Sequence, residues 1–305
     1  MANTRELRRR IRSIKNTSQI TKAMQMVAAT KMRRAQVQAE SGDPYAQTLN
    51  ESLKRLTSAV DPTLNPLLQE NEGKDIGVIV LSTDKGLVGA LNTNLFRQLL
   101  AFQLRVVNLR FYTIGKKGRQ FVVKIGKELV ADFESSDTVT FRQSKLLART
   151  VKDSFLKGEL KEVYLVYPDF ISTLRQEPRI EKLLPISADA LEIETGLTNS
   201  DTTTKPRGTR DTFDTGDTSS NEFLFEPSTS ELLDFILNHS IETKIYKALL
   251  ETKASEHSAR MIAMKNATDN AKDLVEDLTL SYNQTRQQAI TNELLEITTA
   301  QAALE

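Results

Sequence analysis

The chain has 305 residues, of which 39% are hydrophobic and only 6% aromatic, as in proteins with much exposed helix. It contains no cysteine, which excludes disulfides, thiolate metal sites and thiol redox switches, and with two histidines we expect no His-based metal site. The net charge of +1 hides an asymmetry, since residues 1–34 carry ten basic residues against one acidic one and residues 231–305 carry seven against twelve. This asymmetry favours pairing of the two ends and leaves basic charge for an acidic partner.

Neither end of the chain predicts a membrane segment. There is no run of about 18 apolar residues, so we expect no membrane-spanning helix. The first residues are rich in arginine, as in mitochondrial presequences, but no apolar core follows them, so they do not predict a secretory signal. The helical pattern continues to Glu40, and we therefore interpret this segment as part of a mature helix.

The first element is a helix over residues 3–40. One apolar stripe is formed by Leu7, Ile11 and Ile14, and a second, slightly rotated, by Ile20, Met24, Val27 and the methylene stem of Lys31. Gly42-Asp43-Pro44 is expected to break or kink this helix. Helix then resumes through Leu49 to Val60 and stops at Asp61-Pro62.

The pattern changes to alternating strands and helices over residues 75–230, which predicts a small α/β domain. Three strands are predicted at 76–81, 109–114 and 162–167, and three helices at 92–103, 115–125 and 142–156. Residues 170–174 and 179–186 are expected to extend the sheet in the antiparallel direction. Residues 195–220 are rich in threonine and almost free of apolar side chains, which predicts a flexible insert. A last short strand is predicted at Phe223–Phe225.

The last element, residues 231–305, organises the whole chain. Residues 230–304 hold no proline and no glycine and predict one helix of about 75 residues, roughly 110 Å long. A helix of this length needs a partner helix, and the N-terminal segment 1–60 offers one. The first part carries bulky side chains expected to pack on the α/β domain, namely Leu232, Leu233, Phe235, Ile236, Ile241, Ile245 and Leu249.

The second part of this helix predicts a close helix–helix seam. Small residues recur every four positions at Ala259, Ala263, Ala267 and Ala271, and Leu274, Leu278, Ile290, Leu294 and Ile297 are expected to carry the seam to the end. We therefore predict an antiparallel coiled coil with residues 3–40. Because the last helix is longer by about 30 residues, part of it must run beside residues 45–60 or stand alone.

Candidate chemistry is sparse. The turn after the first strand, residues 84–92, lies where α/β proteins bind phosphates, as does Gly115–Gly118, but neither matches a phosphate-binding pattern, and a structural turn is favoured. His239 and His257 are interpreted as helix-surface residues. The sequence thus predicts no catalytic residues, metal or cofactor.

Two surfaces remain open to more than one interpretation. The basic N-terminal helix fits either nucleic acid or an acidic protein surface, although it lacks aromatic residues before Tyr45. The polar cluster Arg286, Gln287, Thr291, Glu293 and Glu296 fits either an exposed helix end or specific hydrogen bonds to another surface.

Several segments resemble the γ subunit of F-type ATP synthases. Residues 20–32 (ITKAMQMVAATKM) are similar to the N-terminal helix of that family, and residues 82–92 (STDKGLVGALN) to its first strand–turn–helix. Residues 254–270 (ASEHSARMIAMKNATDN) and 283–297 (NQTRQQAITNELLEI) resemble its C-terminal signature. The insert at 195–220 is the main departure, and without cysteine it does not imply thioredoxin-type regulation.

The resemblance implies a fold and a function. The fold is α/β, with a long antiparallel coiled coil of the terminal helices and an inserted small Rossmann-like α/β domain. The function is that of a non-catalytic rotor shaft in a proton-translocating ATP synthase, without a cofactor. The implied partners are the α and β subunits of the catalytic ring, the ε subunit and the membrane c-ring, with no nucleic acid.

The resemblance also implies site residues and a location. Contact or coupling with the β subunit is implied for Lys22, Met24, Lys85, Val88, Arg260, Gln287, Thr291 and Glu293. The implied location is peripheral, on the cytoplasmic face of a bacterial plasma membrane. The alternative from the residues alone is a coiled-coil adaptor with a nucleotide-binding α/β domain.

Overall fold

The computed structural model describes residues 4–59, 65–104, 106, 108–186 and 229–302. The predicted insert at 195–220 and the predicted strand at Phe223–Phe225 lie outside the described residues. The helices are α1 (Thr4–Ala59), α2 (Leu91–Gln103), α3 (Lys116–Lys124), α4 (Phe141–Leu156) and α5 (Thr229–Ala302). The strands are β1 (Asp75–Leu81), β2 (Leu109–Ile114), β3 (Glu128–Phe133), β4 (Leu160–Phe170) and β5 (Gln176–Leu184).

The two terminal helices form the predicted antiparallel coiled coil. The hydroxyl groups of Thr21 and Thr268 are 2.7 Å apart, and Gln38 Nε2 donates to Tyr246 Oη at 2.7 Å. Positions further along α1 therefore meet earlier positions on α5. The fold class predicted from the sequence is confirmed.

The seam between α1 and α5 follows a heptad repeat and not the four-residue spacing predicted for the last helix. Buried or half-buried residues alternate at spacings of three and four along both helices, as knobs-into-holes packing requires. On α1 they are Leu7, Ile11, Ile14, Ser18, Thr21, Gln25, Ala28, Met32 and Ala35, and on α5 Met264, Thr268, Ala271, Val275, Leu278, Tyr282 and Thr285.

The second apolar stripe predicted on α1 does not lie in the seam, and of its members Met24 and Lys31 are half-buried. Ile20 is 60% exposed and Val27 is 57% exposed, because the heptad phase places Ser18, Thr21 and Ala28 in the seam instead. The helices can approach closely through these small side chains, and the bulky ones are left facing outward.

The predicted four-residue alanine stripe on α5 is also divided between two surfaces. Each step of four residues rotates the position by about 40° around a helix with 3.6 residues per turn, so Ala259 and Ala271 differ by about 120°. Ala271 is buried in the seam, whereas Ala259 packs against Val88 and Leu91 of the α/β domain. The prediction that the N-terminal helix covers the whole stripe was therefore wrong.

Of the break or kink predicted at Gly42-Asp43-Pro44, the break is absent, because helix α1 continues through Pro44. A proline inside a helix costs about 3 kcal/mol. The turns beyond it bury Leu53 and Leu56, which are 0% and 2% exposed, and each buried leucine contributes about 1.5–3 kcal/mol. Tertiary packing thus offsets the local penalty.

The sheet has the order β3-β2-β1-β4-β5, parallel except for the antiparallel β4–β5 pair. The antiparallel extension is confirmed, although residues 171–175 form the turn between β4 and β5 and not a strand. Strand β3 was not predicted, because an edge strand in which exposed and half-buried residues alternate has no apolar run to mark it.

The two faces of the sheet contact different helices. One face packs with α1, α4 and the first turns of α5 in a core that includes Leu81, Leu165, Ile241 and Ile245, and the other packs with α2 and α3. The predicted contact between the bulky part of α5 and the domain is confirmed, except that Phe235 is 68% exposed. The coiled coil is therefore fixed to the domain along one face of the sheet.

Candidate functional site

The structure distributes the predicted site residues over three places. Lys22 is exposed and Met24 half-buried on α1. Lys85, Val88 and Arg260 lie where the loop after β1 meets α5, a region that we call the neck. Gln287, Thr291 and Glu293 lie on the exposed end of α5.

The loop of the neck, residues 82–90, is held by its own hydrogen bonds. Thr83 Oγ1 donates to the carbonyl oxygen of Lys85 at 2.9 Å and accepts from Asn92 Nδ2 at 2.7 Å. Val88 is 3% exposed and packs with Leu91 and Ala259. Lys85 projects from this loop and is exposed, so the loop presents a cation on a rigid base.

Arg260 joins this loop to α5. Its guanidinium donates to Glu256 Oε1 at 2.8 Å and reaches the carbonyl oxygen of Gly86 at 3.4 Å. A third contact of 3.4 Å goes to Nδ1 of His257. The fork of donors on Arg260 therefore connects two turns of α5 with the turn after β1.

Glu256 is the buried anion of the neck, with 4% of its surface exposed. Burial raises the pKa of Glu256, but Lys253 and Arg260 lower it more, so that its pKa lies below the usual range. Lys253 Nζ is 3.2 Å from Glu256 Oε2. The carboxylate is thus ionised and paired on both oxygens.

His257 is not the surface residue predicted from the sequence, because it is only 5% exposed. Burial lowers the pKa of His257 to about 4, and the cations Arg260, Lys253 and Lys31 lower it further, against Glu256. The imidazole is therefore neutral near pH 7 and can accept a hydrogen bond through Nδ1. His239, in contrast, is half-buried among aromatic rings.

An ion pair that the sequence did not predict lies beside the neck. Lys31 Nζ donates to Asp137 Oδ2 at 2.8 Å. This hydrogen bond and the charge of Lys31 lower the pKa of Asp137, with smaller contributions from Lys253 and Lys85. The sequence around Asp137 gives no sign of this ion pair, because Asp137 lies in a polar loop between β3 and α4. Its partner Lys31 comes close only where α1 packs beside the domain.

These contacts suit mechanical connection better than chemistry at a reacting group. Arg260, Glu256 and Lys253 of the neck are paired with one another, and His257 beside them is uncharged near pH 7. No group of three or more potential ligands among the described residues could hold a metal ion. Within the described part of the chain, no helix has the length and apolar character to cross a membrane.

The start of α3, at the Gly115–Gly118 segment, is occupied by protein groups. Asp84 Oδ1 accepts the backbone N–H of Lys116 at 2.9 Å, and Ser82 Oγ accepts that of Gly118 at 2.7 Å. These N–H groups open α3, where a phosphate would otherwise bind. A carboxylate at this place repels a second anion, which supports the structural role that the sequence favoured for Gly115–Gly118.

The end of α5 extends beyond its partner. The seam ends at Thr285, opposite the start of α1, and residues 286–301 are all exposed. The overhang is about 16 residues, or about 24 Å, so only part of the surplus length stands alone. The earlier part of α5 runs beside the second half of α1, as Tyr45 and His239 show with a hydrogen bond of 2.6 Å.

The exposed end, which we call the tip (residues 286–301), combines polar and apolar side chains. Thr291 Oγ1 donates to the carbonyl oxygen of Gln287 at 2.9 Å. Ile290, Leu294 and Ile297 were expected to continue the seam but are 46%, 58% and 62% exposed, because α1 does not reach them. An apolar stripe that no element of the described chain covers is typical of a contact surface.

Comparison with known proteins gives concordant results. A family model described as ATP synthase matches residues 3–304. The ATP synthase gamma chain of Methylacidiphilum infernorum is 43% identical over 309 residues, covering 100% of both chains. That of Opitutus terrae is 40% identical over 308 residues, covering 99% of both.

Solved structures share the fold. The rotor of the Euglena gracilis mitochondrial ATP synthase matches with a TM-score of 0.64 and 22% identity, covering 94% of this chain and 98% of the other. The central stalk and c-ring structure of the Tetrahymena thermophila enzyme contains a chain that matches with a TM-score of 0.57 and 22% identity, covering 81% and 99%.

Proposed function

Since the chain belongs to the ATP synthase gamma chain family, the rotor subunits of the central stalk, we propose that it transmits torque without catalysing a reaction itself. The observation that carries this proposal is the coiled coil, which is anchored in the neck at one end and leaves a free tip of about 24 Å at the other. A shaft needs both features. It must resist twisting where load enters, and its far end must turn inside another body.

The proposed partners follow from the surfaces of the two ends. The tip presents exposed leucines and isoleucines to the ring of α and β subunits, and the basic N-terminal helix suits an acidic surface on the β subunit. The α/β domain would contact the ε subunit and the membrane c-ring. The related structures are named as rotor or as central stalk with c-ring, which supports this arrangement.

The non-catalytic role is supported by the pairing within the neck. Arg260, Glu256 and Lys253 are engaged with one another, and Asp84 occupies the helix end where a nucleotide phosphate would bind. We propose that nucleotides bind to the partner subunits. Association with the cytoplasmic face of a bacterial plasma membrane would then occur through the complex.

The site residues divide into three contacts within this proposal. Lys22 and Met24 on α1, and Lys85 in the neck loop, would meet the moving part of the β subunit, while the buried Val88 would hold that loop in place. Arg260 would keep the neck loop rigid under load, because it bonds to both Glu256 and Gly86. The tip residues that would contact the surrounding ring are Gln287, Thr291 and Glu293.

Met24→Lys in the assembled enzyme tests this division. A charge placed at the β-subunit contact should reduce ATP-driven proton pumping more than ATP hydrolysis, while assembly is retained. Met26→Lys is the matched control, since it adds the same charge two residues away at a methionine that is 58% exposed. If hydrolysis and pumping remain coupled in Met24→Lys, or if both variants lose coupling equally, the role proposed for Met24 is wrong.

The alternative of a nucleotide-binding adaptor has its own test. Equilibrium dialysis of the full chain with ATP should give no saturable binding, because the carboxylate of Asp84 already caps α3. Saturable binding that is lost when Lys116 and Lys117 are replaced by glutamine would favour the adaptor.

A further inference from the structure

The far end of the β4–β5 hairpin projects beyond the rest of the sheet. The pairing of β4 with β1 ends at Val166, whereas the pairing of β4 with β5 continues from Tyr167 to Phe170. We call residues 167–179 the hairpin end. A ribbon of two strands is at best marginally stable by itself, so the position of the hairpin end depends on the helices beside it.

Helix α5 holds the hairpin end through two serines. Ser255 Oγ donates to the carbonyl oxygen of Pro168 at 3.0 Å, and Ser258 Oγ donates to that of Thr173 at 2.6 Å. Both serines are 0% exposed. Moving the hairpin end away from α5 would therefore expose them to solvent.

Two carboxyl groups meet in the same interface. Glu251 lies one turn of α5 before Ser255, and Asp169 follows Pro168, so the hydrogen bond between Ser255 and Pro168 brings the two acidic residues together. Glu251 Oε2 is buried, and no donor group of the described residues reaches it. The two side chains make a hydrogen bond with each other, which requires a proton on one of them, because carboxylates are acceptors only.

The neighbouring charges do not replace this proton. The ionisable side chains around the carboxyl pair come from β4, β5 and α5, and they are Tyr167, Arg179, Glu181, Lys244 and Lys247. Arg179 is 3.6 Å from Asp169 and 4.0 Å from Glu181, so its charge is divided between two carboxylates. Lys247 is exposed, and solvent therefore screens its attraction to Glu251.

The balance of these effects leaves Glu251 neutral below about pH 7. Burial, followed by the charge of Asp169, raises the pKa of Glu251 to about 7, whereas Lys247 and Arg179 lower it. Once the hairpin end has moved away, Glu251 meets water and its pKa returns to the usual 4.5. The closed position is therefore favoured fully below pH 4.5, and this advantage is lost as the pH rises through 7.

We propose that the hairpin end is a proton-dependent clasp on α5, closed by a proton shared between Glu251 and Asp169 and released when that proton is lost. Release uncovers the two serines and loosens the attachment of α5 to the domain beside the neck. The clasp is a property of the packing between α5 and the domain, so it holds whether or not the proposed shaft function does.

Thiol labelling measures the release directly, because the chain contains no cysteine. Ser255→Cys places a single thiol under the hairpin end. Its rate of labelling by iodoacetamide, divided by the rate in the urea-unfolded chain at the same pH, gives the open fraction. This fraction should rise about tenfold from pH 6 to pH 8.5, as the change in the pKa of Glu251 from about 7 to 4.5 requires.

A second cysteine distinguishes local release from unfolding of the whole chain. Ser144→Cys lies on α4 at a position that is also 0% exposed. It should be labelled more slowly than Ser255→Cys at each pH, since its exposure needs more extensive unfolding.

Three substitutions in the Ser255→Cys chain identify the proton. Glu251→Gln should keep the open fraction constant within about twofold, because the amide donates a hydrogen bond without titrating. Asp169→Asn should reduce the rise to about threefold or less, since its amide can donate to the Glu251 carboxylate. Glu276→Gln removes the same charge at an exposed position of α5 and should leave the rise unchanged.

The clasp is overturned if the open fraction does not rise with pH, if the rise persists in Glu251→Gln, or if Asp169→Asn leaves the rise undiminished. Equal labelling rates of the two cysteines would also overturn it, because the exposure would then come from unfolding of the whole chain. Circular dichroism checks that each variant is folded. Ser258→Cys, beneath Thr173, takes the place of Ser255→Cys should the latter not fold.

Discussion

Two buried titratable side chains on α5 link the shaft to the domain and have opposite effects on stability. Glu251 packs against the β4–β5 hairpin, where burial and the nearby Asp169 raise its pKa to about 7, against Lys247 and Arg179. His257, less than two turns further along, has a pKa lowered to about 4 by burial. Each is favoured in its neutral form by the folded state.

The signs of the two contributions follow from linkage. For Glu251 the pKa in the folded state lies above the usual 4.5, so its contribution to stability is present at low pH and lost as the pH rises towards 7. For His257 the folded pKa lies below the usual 6.5, so its contribution is present above pH 6.5 and lost as the pH falls towards 4. Between pH 4.5 and 6.5 the Glu251 contribution falls while the His257 contribution rises, so the net change of unfolding free energy with pH is small.

Glu251→Gln should expose the pH dependence of stability that His257 contributes. The amide keeps the shape of the protonated carboxyl and does not titrate, so unfolding free energy should fall by up to about 3 kcal/mol between pH 6.5 and 4. Urea unfolding of the full chain at several pH values measures this. At pH 8 the variant should be more stable than the wild-type chain, and an unchanged pH profile would contradict the assignment.

His257→Gln should expose the pH dependence of stability that Glu251 contributes. Without the imidazole, unfolding free energy should decrease as the pH rises from 4.5 to 7, by up to about 3 kcal/mol, because Glu251 must then ionise in a buried place. The same urea series measures it. Combining both substitutions should flatten the profile again, and a slope that persists in the double variant would point to other groups.

At the scale of elements, the centre of the coiled-coil seam is lined on α1 mainly by small side chains. The centre of the seam contains Ser18, Thr21, Ala28 and Ala35, and the threonine hydroxyl pair crosses it. The bulky Ile20 and Val27 face outward. This distribution leaves bulky apolar side chains exposed on the otherwise basic outer surface of α1.

Ala28→Leu tests how tightly the helices approach. Ala28 is 2% exposed in the seam, so the added atoms should force the helices apart and destabilise the chain by about 1–3 kcal/mol. Ala23→Leu, at an exposed position of the same helix, should change the unfolding free energy by less than about 0.5 kcal/mol. Equal effects of the two substitutions in urea unfolding would show that the seam is not close-packed at Ala28.

At the scale of the whole molecule, folding and proposed function are assigned to different parts of α5. Residues up to Thr285 are covered by α1 or by the domain, whereas the tip contacts nothing in the described chain. Stability should therefore reside in the neck and seam, and the contact with the catalytic ring in the tip.

Removal of residues 286–305 should separate these two properties. The shortened chain should unfold at the same urea concentration as the full chain, because no described packing is lost. In the assembled enzyme, ATP synthesis should fall severalfold, since the end of the shaft no longer reaches its surroundings. A large loss of stability in the isolated chain would contradict this division, and so would undiminished synthesis.

The sequence by itself determined the long terminal helix, the alternation of strands and helices, and the charge asymmetry of the ends. These are local properties, set by the absence of proline and glycine in 230–304 and by the apolar runs of β1, β2 and β4. The family motifs at 20–32 and 254–270 gave the function, but not the contacts of the residues within them.

Only the tertiary structure decided which faces are buried. The phase of the seam depends on two helices more than 200 residues apart, so Ile20 could not be distinguished from Thr21 by its own neighbours. The same holds for His257, for the pairing of Lys31 with Asp137 and for the passage of α1 through Pro44. In each case the free energy comes from partners distant in sequence, and a local pattern does not contain it.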